Sequence, residues 1–163
     1  MHSSRYLYLI KYLASRKIRA FKIRYYLLLN VVIFNFKMDK EKISIFWFRR
    51  DLRLEDNRGL YEALKSPFPI LPIFLFDDNI TDELDEDDPR ITFIYDQIQK
   101  LTTQLKKYSC SLFCEKGDLK ASWASLIKEY DIQEVYSNED YEPYAIQRDL
   151  MIQKLLLNHG ISF

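Results

Sequence analysis

Glycine is scarce in this chain: three in 163 residues, at Gly59, Gly117 and Gly160. No G-x-G-x-x-G or G-x-x-x-x-G-K-[ST] loop can be built from that spacing, so a glycine cradle for nucleotide phosphates is excluded. Histidine and cysteine number two each, His2 and His159, Cys110 and Cys114. A four-ligand Cys/His zinc site therefore has too few ligands near one another. A Ser-His-Asp or Cys-His nucleophile would have to recruit His159, beside Gly160 at the end of a predicted helix. On one strand Cys110 and Cys114 stand about 13 Å apart, beyond disulfide reach. A reducing, cytoplasmic compartment is the expectation. Long hydrophobic runs are also missing. Tyr25 to Phe36 is twelve residues broken by Asn30 and Asn35, whereas a spanning helix needs about 20; no membrane partner is expected.

Charge is balanced only in sum. Residues 1–37 hold eight Lys/Arg and no acid, a net +8, while 38–163 hold 16 Lys/Arg against 24 Asp/Glu, a net −8. Two kinds of segment are joined. The first is basic, aromatic and poor in Ser for a transit peptide, so it reads as an extension outside the fold, with Met38 the natural start. The second is long enough for one globular domain. Its acidic balance argues against a phosphate-binding face of its own. Eight of the twelve residues Asp77 to Asp88 are acidic, but they lack the turn glycine and D-x-D-x-D-G spacing of a calcium loop. A solvated loop and no metal are expected.

From residue 38 onward strands and helices alternate. Ile43 to Phe48 is a continuous β-branched and aromatic run, the pattern of a strand buried on both faces. Asp56-Asn57 supplies N-cap side chains for a helix through Leu60 and Leu64 that ends before Pro67. Ile70 to Phe76 is a second buried strand. Asp88-Pro89 reads as an N-cap and first-turn proline, opening a helix whose Ile91, Ile94, Ile98, Leu101, Leu105 and Tyr108 share one face. Ser111 to Cys114 is a short third strand, and Leu119 to Tyr130 a helix with Trp123, Leu126 and Ile127 inward. Glu134 to Ser137 is the fourth strand. Pro143 starts a helix through Ile146, Leu150, Leu155 and Leu156, closed at Asn158-His159-Gly160. Ile161 to Phe163 begins a fifth strand that is cut short. The alternation implies βαβ units with right-handed crossovers: a Rossmann-like, doubly wound α/β fold on a parallel sheet of order 3-2-1-4-5.

In such a sheet ligands sit beyond the carboxyl ends of the strands where the winding reverses. That crevice lies between strands one and four, whose exits are Arg49-Arg50-Asp51-Leu52-Arg53 and Asn138-Glu139-Asp140-Tyr141-Glu142-Pro143. Three arginines facing several carboxylates form charge-assisted pairs. They hold a ligand, or they staple the loops together or to another domain.

Trp47-Phe48-Arg49-Arg50-Asp51-Leu52-Arg53-Leu54-Glu55-Asp56-Asn57 resembles the opening signature of the DNA photolyase/cryptochrome family, W-F-R-x-D-L-R-x-x-D-N. Asn138-x-Asp140-Tyr141-Glu142-Pro143-Tyr144 with Arg148-Asp149 is similar to a second signature of its N-terminal domain, and Arg90 matches a common family arginine. The resemblance covers Lys42 to Phe163.

It implies the N-terminal α/β antenna domain, incomplete at its last strand, of a light-dependent deoxyribodipyrimidine photo-lyase, an enzyme that repairs cyclobutane pyrimidine dimers in DNA. The alternatives are a cryptochrome-type flavin photoreceptor and a free-standing nucleotide-binding α/β domain. In the family a large helical domain binds FAD and DNA, and it lies beyond the stretch matched here. The chain is thus expected to be inactive alone, to hold no catalytic residues, to bind no FAD firmly and to meet damaged DNA only through that helical partner, as a monomer. Trp47 and Trp123 are expected in the core rather than in the family's electron relay. Folate-binding relatives offer an Asn-Glu dipeptide where Tyr144 and Ala145 stand here, which disfavours a folate antenna. Deazaflavin or flavin antennas use the strand-end crevice, where Asp51, Leu52, Arg53, Phe76, Asp77, Arg90, Asp140 and Glu142 are the candidates; an empty site is the other possibility.

Overall fold

Seven residues, Lys42–Phe48 (KISIFWF), make the central strand β1, and all but the first are buried. Alternate side chains enter two separate cores, as the strand's two-residue period requires. Ile43, Ile45 and Trp47 join one cluster and Phe46 and Phe48 the other. In this computed structural model residues 40–82, 84 and 88–163 are described; the basic segment, with its Tyr25 to Phe36 run, lies outside them.

After β1 come α1 (Arg58–Ala63), β2 (Ile70–Asp77), the short α2 (Asp78–Thr81), α3 (Pro89–Lys106), β3 (Phe113–Gly117), α4 (Leu119–Glu129), β4 (Asp131–Tyr136) and α5 (Pro143–Leu157). The strands are all parallel, in the order β3-β2-β1-β4. Register is fixed by pairs such as Ser44 with Ile70 and Ile45 with Val135. α4 and α5 cover one face through Leu119, Trp123, Leu126, Ile152 and Leu156. α1 and α3 cover the other through Ala63, Ile98, Leu101 and Leu105. This is the doubly wound parallel sheet expected, with Ile43 to Phe48 at its centre. Trp47 and Trp123 are core residues, their rings 5.4 Å apart and nearly perpendicular, a favoured aromatic packing.

Three sequence expectations are corrected. Among the described residues a fifth strand is not shown: Ser162 makes a single parallel bridge to Glu134, its carbonyl accepting the Val135 amide at 2.8 Å. The third strand runs Phe113–Gly117 rather than 111–114. It is an edge strand with one neighbour, and pairing of Phe113 with Ile73 through Gly117 with Asp77 sets its limits, so Glu115 and Lys116 are tolerated despite their charge. The fourth strand runs Asp131–Tyr136 rather than 134–137. On α5 the inward residues are Ala145, Arg148, Ile152 and Leu156, while Ile146 and Leu150 are exposed. Both faces of that helix carry apolar residues, and a buried arginine stands among the inward ones.

Candidate functional site

The polypeptide leaves β1 over one face and β4 over the other, and side chains from the two exits meet above the sheet. Asn57 is the hinge of the first. Its backbone is extended (φ −116°, ψ 98°), and its Oδ1 accepts the Leu60 amide at 3.0 Å as the N-cap of α1, satisfying one of the donors every helix start leaves over. Its Nδ2 donates back to the Arg53 carbonyl at 3.0 Å.

Asn138, from the second exit, locks onto this turn. Its Nδ2 donates to Asp51 at 3.1 Å and to Asn57 Oδ1 at 3.0 Å, while its Oδ1 accepts the Gly59 amide at 2.9 Å. A β-carbon at Gly59 would lie 2.6 Å from that oxygen, so the close approach requires glycine. Sequence reasoning missed Asn138 as the hub; the available signal was one primary amide at the end of a strand, facing a loop with an N-cap and a glycine.

Arginines complete the seam. Arg49 donates to the Asp149 carboxylate and to the Asn138 carbonyl. Arg148, also buried, lies 3.1 Å from Asp149 and 3.9 Å from Asp140. Both guanidiniums stand 5.2 Å from the Trp47 ring centre, a distance at which the ring quadrupole attracts a cation. Arg50 lies 3.3 Å from Asp140 and 2.8 Å from Glu142. Burial would push the Asp140 carboxyl up, but the Glu142 amide and the Arg50 and Arg148 cations outweigh it and hold it below the ordinary carboxylate range. Between the two exits remains a cavity of about 30 Å³ lined by Phe46 to Asp51 and Asn138 to Asp140. That is room for a water, not for a ring system.

The eight residues expected to face one crevice divide. Asp51 and Asp140 are in the seam just described, and Glu142 is at its exposed edge. Arg53 is exposed, and the ion pairs of Asp140 go to Arg50 and Arg148 instead. Leu52 and Phe76 pack against the core under α1 and α3. Arg90 is exposed and folds onto Asp88, the N-cap of its own helix, at 2.6 Å. Asp77, at the end of β2, is buried. Its Oδ1 accepts from the Asn79 amide and side chain at 3.0 and 3.1 Å, and its Oδ2 from the Tyr144 hydroxyl at 2.5 Å. Burial first, and then this bond to a carboxylate, raise the Tyr144 phenol above its ordinary pKa.

Two further features lay outside the sequence reasoning. Glu134 Oε2 collects hydroxyls from Ser66 at 2.7 Å, Tyr136 at 2.9 Å and Ser44 at 3.2 Å, and these donors hold its carboxyl below the ordinary range. A larger cavity, about 620 Å³, runs beside α1 and is lined mainly by apolar residues including Leu54, Leu60, Leu64, Ile70 and Leu105. Among the described residues no cluster of three His, Cys, Asp or Glu could hold a metal ion, and no helix is long and apolar enough to cross a membrane.

A parallel α/β sheet with an arginine-carboxylate seam at its switch point defines a Rossmann-like class of domain. Within that class residues 44–163 match the family model "DNA photolyase", and the chain belongs to this family. It is 31% identical over 117 residues to a deoxyribodipyrimidine photo-lyase from a Synechococcus species, covering 72% of this chain and 24% of that protein. A cryptochrome-2 from Gallus gallus is 30% identical over 119 residues, 73% of this chain and 20% of its own. The crystal structure of the Sulfolobus tokodaii photolyase superposes with a TM-score of 0.64 at 32% identity, over 74% of this chain and 28% of that one. That structure is described as containing two FAD molecules, with the implication of a novel light-harvesting cofactor. The chain spans about a quarter of the length of the photo-lyases it matches.

Proposed function

We propose that this chain is the N-terminal, antenna-side domain of a light-dependent deoxyribodipyrimidine photo-lyase, beginning near Met38. The observation that carries the reading is the seam itself. Arg49, Asp51 and Asn57 from one family signature interlock with Asn138 and Asp149 from the other, so both signatures are one structural unit rather than two chance matches. Dimer splitting would fall to a helical FAD-binding partner, which would also supply the contact with damaged DNA; the net charge of −8 over residues 38–163 leaves this domain poorly suited to phosphates. The purified chain alone is expected to carry no flavin absorbance.

Asp51, Leu52, Arg53, Phe76, Asp77, Arg90, Asp140 and Glu142 remain the residues proposed to border an antenna. A flavin or deazaflavin is favoured over a folate because Tyr144 and Ala145 replace the Asn-Glu pair, and the two-FAD description of the archaeal relative is consistent with a flavin. A cryptochrome-type photoreceptor is the second reading, supported by the near-equal identity to the Gallus gallus protein. The test is replacement of the corresponding domain of a working photolyase by residues 38–163 in ultraviolet-sensitive, repair-deficient bacteria. Survival restored in blue light but not in darkness is expected. Equal survival in light and dark, with the chimera present at normal levels, would reject the reading.

A further inference from the structure

The helix that follows β1 is too short to cover the face it packs on. α1 has 6 residues, about 9 Å of helix, whereas the neighbouring β1 and β2 have 7 and 8, each more than about 20 Å of strand. Between α1 and α3 this leaves the cavity of about 620 Å³, walled by Leu60 and Leu64 of α1, Ile70 and Pro72 of β2 and Leu105 of α3. Its volume is in the range of small-molecule sites, and the rings of Phe48, Phe68 and Tyr108 add aromatic surface. Arg49, Asn138 and Asp140 of the seam do not line it. Ser66 does, and its hydroxyl proton is already committed, to Glu134 Oε2 at 2.7 Å. The Ser44 hydroxyl can give its own proton to the same oxygen, at 3.2 Å. The Ser66 oxygen then keeps acceptor capacity beside the Phe68 amide, which approaches it at 3.3 Å.

We propose that this cavity is a binding site for an uncharged polycyclic aromatic alcohol, its rings against Phe48, Phe68 and the leucines and its hydroxyl donating to Ser66. A ligand that meets Ser66 has to bring the donor, because the serine's own proton is spent on Glu134. An anion is repelled by the Glu134 carboxylate behind that hydroxyl and by Glu55 in the wall. An ammonium would lose its hydration to a mainly apolar lining. A polypeptide fits poorly for a related reason: each residue carries a backbone donor and acceptor that need partners, and the wall offers few polar side chains beyond Ser66, Glu55 and Tyr108.

The experiment titrates the full 163-residue chain at neutral pH with 1-hydroxypyrene, pyrene, pyrene-1-carboxylate and 1-pyrenemethylamine, which share one ring system and differ in the head group. Binding is read by fluorescence anisotropy, with thermal melting on the same samples. 1-Hydroxypyrene is expected to bind about threefold more tightly than pyrene, the worth of one hydrogen bond, and about tenfold more tightly than either charged analogue. Ser66→Ala is expected to bring 1-hydroxypyrene down to the level of pyrene and to leave pyrene unchanged. Leu60→Trp, which fills the cavity from α1, is expected to weaken all four probes. No binding of 1-hydroxypyrene to the parent overturns the site, as does a charged analogue that binds as tightly. A hydroxyl preference that survives Ser66→Ala, or affinities untouched by Leu60→Trp, would place the rings elsewhere and overturn it too. Should either variant lose its cooperative melt, the head-group ranking on the parent decides together with Leu64→Arg, a change at an exposed wall position expected to weaken every probe; a ranking without the hydroxyl first, or no weakening, overturns the proposal. The antenna-domain reading stands or falls separately, on the light-dependent survival of the chimera.

Discussion

Gly59 and Asn138, 79 residues apart, are in direct contact: the glycine amide donates to the asparagine Oδ1 at 2.9 Å, with no room for a β-carbon between them. In an isolated helix alanine is better than glycine by about 1 kcal/mol, so the usual sign should invert here. Gly59→Ala is expected to destabilise the chain by about 1–3 kcal/mol through overpacking. In an Asn138→Ala background the same change should cost at least about 1 kcal/mol less, because the obstructing oxygen is gone. Urea unfolding of the four proteins in the cycle measures this coupling, and a coupling near zero would remove Asn138 from its place as the hub.

Arg49 and Asp149 form a largely buried pair beside Trp47. Removing one partner leaves the other charge without its match, which in buried settings is strongly destabilising. Asp149 keeps some solvent contact, so Asp149→Asn is expected to cost about 2–3 kcal/mol. A loss below about half a kcal/mol in chemical denaturation would show the pair to be incidental.

Acid should loosen the seam before it affects the core. Asp140 and Glu134 both have carboxyls held below their ordinary range in the folded chain. A depressed folded pKa stabilises above the unfolded value of about 4 and is lost as pH falls through the folded value. Asp140→Asn is therefore expected to be less stable than the parent at neutral pH, with the difference shrinking below about pH 4. A constant difference across that range, measured by denaturant melts at several pH values, would contradict the assignment.

Arg90 provides the contrast. Its only ion pair among the described residues is the exposed one with Asp88, two positions away, and such solvent-screened pairs contribute little to stability. Arg90→Ala should leave the melting temperature within experimental scatter of the parent, while Arg49→Ala should lower it clearly; similar shifts would remove the distinction between seam and rim.

The sheet was legible because β1 and β2 are runs of β-branched and aromatic residues that no amphipathic helix would carry, and because Asn57 and Asp88 announce the helices they cap. The edges were less legible. Phe113–Gly117 contains Glu115 and Lys116, and its limits come from pairing with β2 rather than from its own pattern. Arg148 could not be recognised as buried, since the Trp47 ring and the Asp149 and Asp140 carboxylates that accommodate it come together only on folding. The loops of the site were found from their charge, but the pairing within them was not. Arg53 is outside the seam and Asn138 at its centre, because an amide that offers both donors and an acceptor can join two loops where a single charge joins one partner.

The most direct test of the antenna-domain account uses purified protein. Residues 38–163 are joined to the helical FAD-binding domain of a photolyase, loaded with FAD, and given dimer-containing DNA under measured blue light, with an unrelated α/β domain in the same position as control. The account predicts light-dependent loss of pyrimidine dimers, with no loss in darkness or with the control domain. A folded, flavin-loaded chimera that reduces its flavin in light but leaves every dimer intact would contradict it.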